Sequence, residues 1–68
     1  MLRLEELRRL RKMTQISLAQ KVGITQGHLS DLENGNCFPS FDVLIRLARA
    51  LECSLDELVD IEAYPVAS

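Results

Sequence analysis

The stretch that most constrains this chain is Gln15 to Gly35, QISLAQKVGITQGHLSDLENG. Two short amphipathic segments lie on either side of Val22-Gly23-Ile24. Leu18, Ala19 and Val22 recur at helical spacing in the first, and Leu29 and Leu32 do so in the second. Gly23 falls where one helix has to end and reverse, a position that takes left-handed backbone angles most easily without a Cβ. Thr25 then supplies the side-chain oxygen that starts the next helix. The pattern predicts two helices joined by a tight turn.

The second helix has two chemically distinct sides. Advancing 100° per residue from Gln26 puts Gln26, Gly27, Ser30, Asp31 and Asn34 within one arc of roughly 140°. His28, Leu29, Leu32 and Glu33 fall on the other side. The outer arc is short, polar and rich in hydrogen-bonding groups, without lysine or arginine. A face that only kept a small bundle in solution would favour Lys and Glu instead. Base edges in the major groove present donors and acceptors rather than charges, and this arc matches that need. Helix, glycine turn and helix together form the layout of a DNA-binding helix-turn-helix.

The same stretch resembles the helix-turn-helix of the phage repressor and Cro family, also called the XRE family. The matching positions are Gln15, Ala19, Gly23, Leu29, Leu32, Glu33 and Gly35, and the resemblance runs from about Leu4 to Val59. It implies an all-α, five-helix, lambda-repressor-like DNA-binding domain with the helix-turn-helix as helices 2 and 3. It also implies that Arg8 pairs with Glu33 as a structural ion pair. An inward carboxylate at position 33 would otherwise suffer a large desolvation cost, and an arginine answers it with two hydrogen bonds. Gln15, by the same resemblance, clamps the DNA backbone and braces the recognition helix. Family members often carry basic residues just after the glycine at 35, where Asn36 and Cys37 stand here. That departure implies weaker, less salt-sensitive binding.

Sixty-eight residues make one small domain, of a size that buries only about 60% of its extendable surface. No run approaches the roughly 18 apolar residues of a membrane span, and no signal-peptide layout is visible. Cys37 and Cys53 have neither metal-site spacing nor partner ligands beyond the lone His28, and read as reduced cytoplasmic thiols. No nucleophile or acid–base constellation supports an enzyme, and neither a cofactor nor a metal is expected. The net charge of −2 divides unevenly. Residues 1–30 carry six Lys and Arg against two Glu, a balance of +4, whereas 31–68 carry two Arg against eight acids, a balance of −6. A local basic field matters more to phosphates than the total does.

Along the chain, Leu4 and Leu7 give helix 1 a core stripe over about Leu2 to Lys12. Thr14 caps helix 2, whose free N-terminal amides suit a phosphate. Leu10 and Ile16 fit no core stripe. Gly35 is a C-cap candidate, and Phe38 and Phe41 read as anchors from the following loop to the core. Helix 4 spans about Phe41 to Leu51, with Leu44, Leu47, Ala48 and Leu51 inward and an uncomfortable Glu52 after it. Ser54 and Glu57 form a capping box, with Cys53 and Leu58 as its hydrophobic staple. A short fifth helix ends near Asp60.

The reading is a helix-turn-helix domain over residues 1–60 and a tail over 61–68 that either frays or packs on a second subunit. Gln26, Gly27, Ser30 and Asp31 face base edges; Gln15, Thr25, His28, Asn34 and Asn36 hold the DNA backbone. Gln26 suits adenine, and Asp31 can accept from cytosine N4, though its charge also repels phosphate. His28, at the edge of the core arc, either packs or touches a phosphate. Leu55, Val59, Ile61, Tyr64 and Val66 are assigned to a homodimer interface. The expected function is a cytoplasmic transcriptional regulator, a repressor or autoregulator, on a pseudo-palindromic operator. The alternatives are an antitoxin whose acidic half grips a basic toxin, or a restriction–modification controller protein.

Overall fold

Small hydroxyl side chains set the starts of four of the five helices. The computed structural model describes residues 2–59 and orders the helices as α1 (Leu4–Leu10), α2 (Gln15–Val22), α3 (Gln26–Asn34), α4 (Phe41–Ala50) and α5 (Leu55–Leu58). The hydroxyls of Thr14, Thr25, Ser40 and Ser54 accept from the amides of Ser17, His28, Val43 and Glu57 at 3.0, 3.1, 3.4 and 3.2 Å. Each satisfies one of the amides that a helix N-terminus leaves unpaired. Ser54 and Glu57 close a full capping box, and Thr14 with Ser17 closes another.

The ends of α1 to α4 follow one rule, with and without glycine. Gly23 and Gly35 sit in the left-handed region at φ 85° and 79°, and so do Lys12 and Glu52 at 57° and 53°. After each, the next amide bonds back to a carbonyl five residues earlier: Met13 to Arg8, Ile24 to Ala19, Asn36 to Asp31 and Cys53 to Ala48. This closure satisfies the last free carbonyls. At Lys12 and Glu52 it imposes a conformation that L side chains adopt only at a cost. Arg11 covers the α4 end as well, donating to the carbonyls of Leu51 at 2.8 Å and Glu52 at 3.1 Å.

α1 is shorter than its apolar pattern predicts. Leu2 forms an antiparallel bridge with Val59, and the Arg3 amide donates to the Leu58 carbonyl at 2.8 Å. This pairing keeps the start extended, and the left-handed Lys12 stops the other end. Leu4, Leu18, Leu29, Leu32, Leu47, Leu51 and Leu58 are the largest fully buried side chains. α2 packs on α3 and α4, α4 on α5, and α1 on α3. Each such leucine contributes about 1.5–3 kcal/mol relative to exposure.

The expectation for the aromatic anchors is overturned. Phe38 and Phe41 are 55% and 67% exposed, and the buried residue of that loop is Pro39. Phe41 directly follows the Ser40 cap, and helical side chains lean toward the N-terminus. Its ring therefore stands over the open first turn rather than the packed ones. Leu10 and Ile16 are also exposed. Among the described residues no helix is long and apolar enough to cross a membrane.

A candidate nucleic-acid interface on the third helix

α3 is seated by Leu29 and Leu32, both buried, so its other face points outward. Gln26, Gly27, His28, Asp31 and Asn34 are exposed and Ser30 is half-buried. Asn34 donates to the Ser30 hydroxyl at 3.4 Å, and the Asn36 amide donates to Asp31 Oδ1 at 3.3 Å. Thr25 spends its oxygen on capping the helix, and His28 stands clear of the core.

Behind this face runs a hydrogen-bond chain through three helices. Arg8 of α1 donates Nε to Glu33 Oε2 at 2.6 Å and Nη2 to Oε1 at 3.2 Å. Its remaining Nη1 reaches the Met13 carbonyl at 2.8 Å, which ties the α1–α2 loop to the pair. Gln15, the first residue of α2, donates Nε2 to Glu33 Oε1 at 2.9 Å. That bond turns Gln15 Oε1 toward Gln26, whose Nε2 donates to it at 3.5 Å. The structure thus brings Arg8, Glu33, Gln15 and Gln26 together, from an ion pair whose side chains are nearly covered to an exposed amide. Gln26 keeps one N–H and its carbonyl for a partner. The chain borders an open cleft of about 430 Å³ between α1, the start of α2 and α3, with Ile16 and Asn34 also on its wall.

The surface field differs from the division of charge along the sequence. Arg8 is neutralised by Glu33, Arg9 pairs with Glu5 at 2.8 Å, and Arg11 is turned to backbone carbonyls. Arg3, Lys12 and Lys21 stay exposed. From the acidic half, Arg46 reaches back to the α2–α3 turn: its Nη1 lies 3.9 Å from the point where a Cβ on Gly23 would stand. Sequence reasoning missed that approach, and it expected Gln15 to brace α3 without naming Glu33 as its partner. Both depend on side-chain directions that spacing does not encode.

Of the expected dimer residues, Leu55 is 37% exposed, while Val59 is half-buried against the core and bridged to Leu2. Ile61, Tyr64 and Val66 lie outside the described residues. Both cysteines are free; burial, with Glu57 nearby and Arg11 opposing, pushes the Cys53 thiol up from its ordinary value. Among the described residues no cluster of His, Cys, Asp or Glu could hold a metal ion.

An exposed helix presenting amides and hydroxyls, braced from behind by a second helix across a glycine turn, defines a helix-turn-helix DNA-binding domain of the phage repressor type. The chain belongs to the helix-turn-helix family, matching it over residues 4–58. It is similar to the immunity repressor protein of Bacillus phage phi105, 33% identical over 60 residues, 88% of this chain and 42% of that protein. The cryptic phage CTXphi transcriptional repressor RstR of Vibrio cholerae is 36% identical over 56 residues, 82% of this chain and 50% of that one. This chain therefore spans half or less of the length of these two relatives. Among solved structures it is similar to the P22 c2 repressor protein in complex with a synthetic operator. The TM-score is 0.76 at 31% identity, over 79% of this chain and 82% of that one.

Proposed function

We propose that this protein is a sequence-specific repressor of transcription that binds double-stranded DNA as a homodimer on a pseudo-palindromic operator. The observation that carries the reading is the Arg8–Glu33–Gln15–Gln26 chain. It fixes an amide on the outer face of α3 relative to the N-terminus of α2, so one rigid unit meets phosphate and base edge together. Gln26, Gly27, Ser30 and Asp31 read bases; Gln15, Thr25, His28 and Asn34 face the backbone. The likeness to a repressor solved on an operator supports the placement of α3 in the major groove.

The dimer follows from the information a site needs. A single recognition helix covers too few base pairs to single out an operator in a genome. Two copies set α3 in successive major grooves roughly 34 Å apart. Of the residues assigned to the interface, Leu55 on α5 is the exposed one among those described; Ile61, Tyr64 and Val66 are assigned to it from the sequence alone. Footprinting on the promoter of the protein's own gene, with sedimentation with and without that DNA, tests both parts. The expected result is two copies on a site with two-fold symmetry. A single copy per specific site at micromolar concentration would refute the dimer, and a uniform footprint would refute sequence-specific binding.

A further inference from the structure

We infer that Asp31 reads a cytosine and that Asn36 is the residue positioning its carboxylate. This rests on the reading of α3 as the major-groove element. Asp31 is exposed on the same face as Gln26 and Ser30. Its Oδ1 accepts from Asn36 Nδ2 at 3.3 Å, and its own carbonyl accepts the Asn36 amide at 2.9 Å. Asn36 is thus held against Asp31 through backbone and side chain alike, its amide turned to the carboxylate. One carboxylate oxygen is occupied and the other, Oδ2, is left for a partner.

The charge of Asp31 narrows what that partner is. Among the described residues the ion pairs are Arg8 with Glu33 and Arg9 with Glu5, so no cation lies against Asp31. A carboxylate entering a groove between phosphates is repelled unless a base supplies a donor. In the major groove only cytosine N4 and adenine N6 do so. Adenine N6 is flanked by its own N7 and by the O4 of the paired thymine, both acceptors that repel the carboxylate. Cytosine N4 has the paired guanine O6 on one side and only C5–H on the other. Guanine and thymine show acceptors alone. The carboxylate therefore selects a C·G pair with cytosine toward α3.

Selection from a randomised duplex library, followed by sequencing, tests this with the wild-type chain, Asp31→Asn and Asn36→Ala. The wild type is expected to enrich one invariant cytosine in each half-site. Asp31→Asn is expected to exchange it for adenine, which an amide meets through N6 and N7. Asn36→Ala is expected to weaken the cytosine preference several-fold while leaving the column read by Gln26 unchanged. Replacing that cytosine by 2-pyrimidinone, which lacks the amine, should cost the wild type about tenfold in affinity. A specific wild-type motif that Asp31→Asn leaves unaltered in every column overturns the role of Asp31 alone. No motif from the wild type overturns the groove reading itself. Both substitutions change exposed side chains, and matching melting curves for all three chains separate lost reading from lost fold.

Discussion

Removing the guanidinium of Arg8 is expected to bring the domain close to unfolding. The Glu33 side chain is 2% exposed and that of Arg8 is 11%, so the pair is shielded from water on nearly every side. In Arg8→Met the carboxylate loses two of its three side-chain donors and keeps only Gln15. Stranding one member of a buried pair typically costs about 3–5 kcal/mol. The lost bond to the Met13 carbonyl adds about 1 kcal/mol. A domain of 68 residues has a total stability of only about 3–10 kcal/mol. Urea unfolding followed by circular dichroism should therefore show Arg8→Met at or beyond the edge of folding in buffer alone. Glu33→Met strands a guanidinium and should behave similarly. The double variant should recover to within about 1 kcal/mol of wild type, because apolar replacement of both partners removes the stranded charge. Losses of about 1 kcal/mol or less in each single variant, with no coupling in the cycle, would be the behaviour of an exposed pair and would refute the reasoning.

Four further substitutions follow from the same structure. Gln26→Ala should lose about 1–3 kcal/mol of discrimination at one base position; Gln15→Ala should weaken binding to all sequences and, by releasing the Gln26 amide, blur that same position alone. A Gln26→Ala profile unchanged at every base, with Gln15→Ala altering other positions, would exchange their roles. A Cβ on Gly27 meets nothing within 4 Å, so Gly27→Ala should stabilise the free domain by up to about 1 kcal/mol while lowering operator affinity, and unchanged affinity would show that the gap is not used by DNA. Glu52→Gly relieves a left-handed non-glycine residue, a gain of about 1–2 kcal/mol against about 0.5–1 kcal/mol of added chain entropy; a lowered melting temperature would mean that the Glu52 side chain contributes more than its strain.

Much of the fold was legible because its punctuation is local. Thr14, Thr25 and Ser54 act on amides three residues away, and Gly23 and Gly35 stop helices by their own backbone freedom. Such signals survive in a string of letters. An end of α1 near Lys12 was legible, but its left-handed backbone was not, because nothing in that side chain announces one; the bond from the Met13 amide to the Arg8 carbonyl enforces it. The start of α1 was missed for a different reason. Leu2 pairs with Val59, from near the opposite end of the sequence, and no window of residues contains both. At the site, the partnership of Arg8 with Glu33 and the bracing role of Gln15 both came from a family resemblance, while the choice of Glu33 as the partner of the Gln15 amide came from neither spacing nor resemblance. Charge was misleading for a similar reason. Counting cations by sequence position treats Arg8 as a field source, yet Glu33 from the acidic half neutralises it, while Arg11 keeps its charge but turns its head to the end of α4.

The recognition helix itself shows how this domain separates folding from reading. QGHLSDLEN is nine residues long with a glycine in its first turn, well short of the roughly 12–15 residues at which an isolated helix becomes marginally stable. Its outer face contributes little to keeping it helical. What holds it is outside that face: the Thr25 cap, the Gly35 closure, two buried leucines, and Glu33 anchored by Arg8 and Gln15. Gln26, Gly27, Ser30 and Asp31 carry none of the core and only weak side-chain bonds near 3.3–3.5 Å. Substitutions among these four should therefore shift stability by tenths of a kcal/mol, glycine excepted, and base preference by an order of magnitude. On the proposed reading, a scaffold so arranged can change its operator without refolding, and its letters therefore announce a helix-turn-helix more plainly than any base sequence it would select.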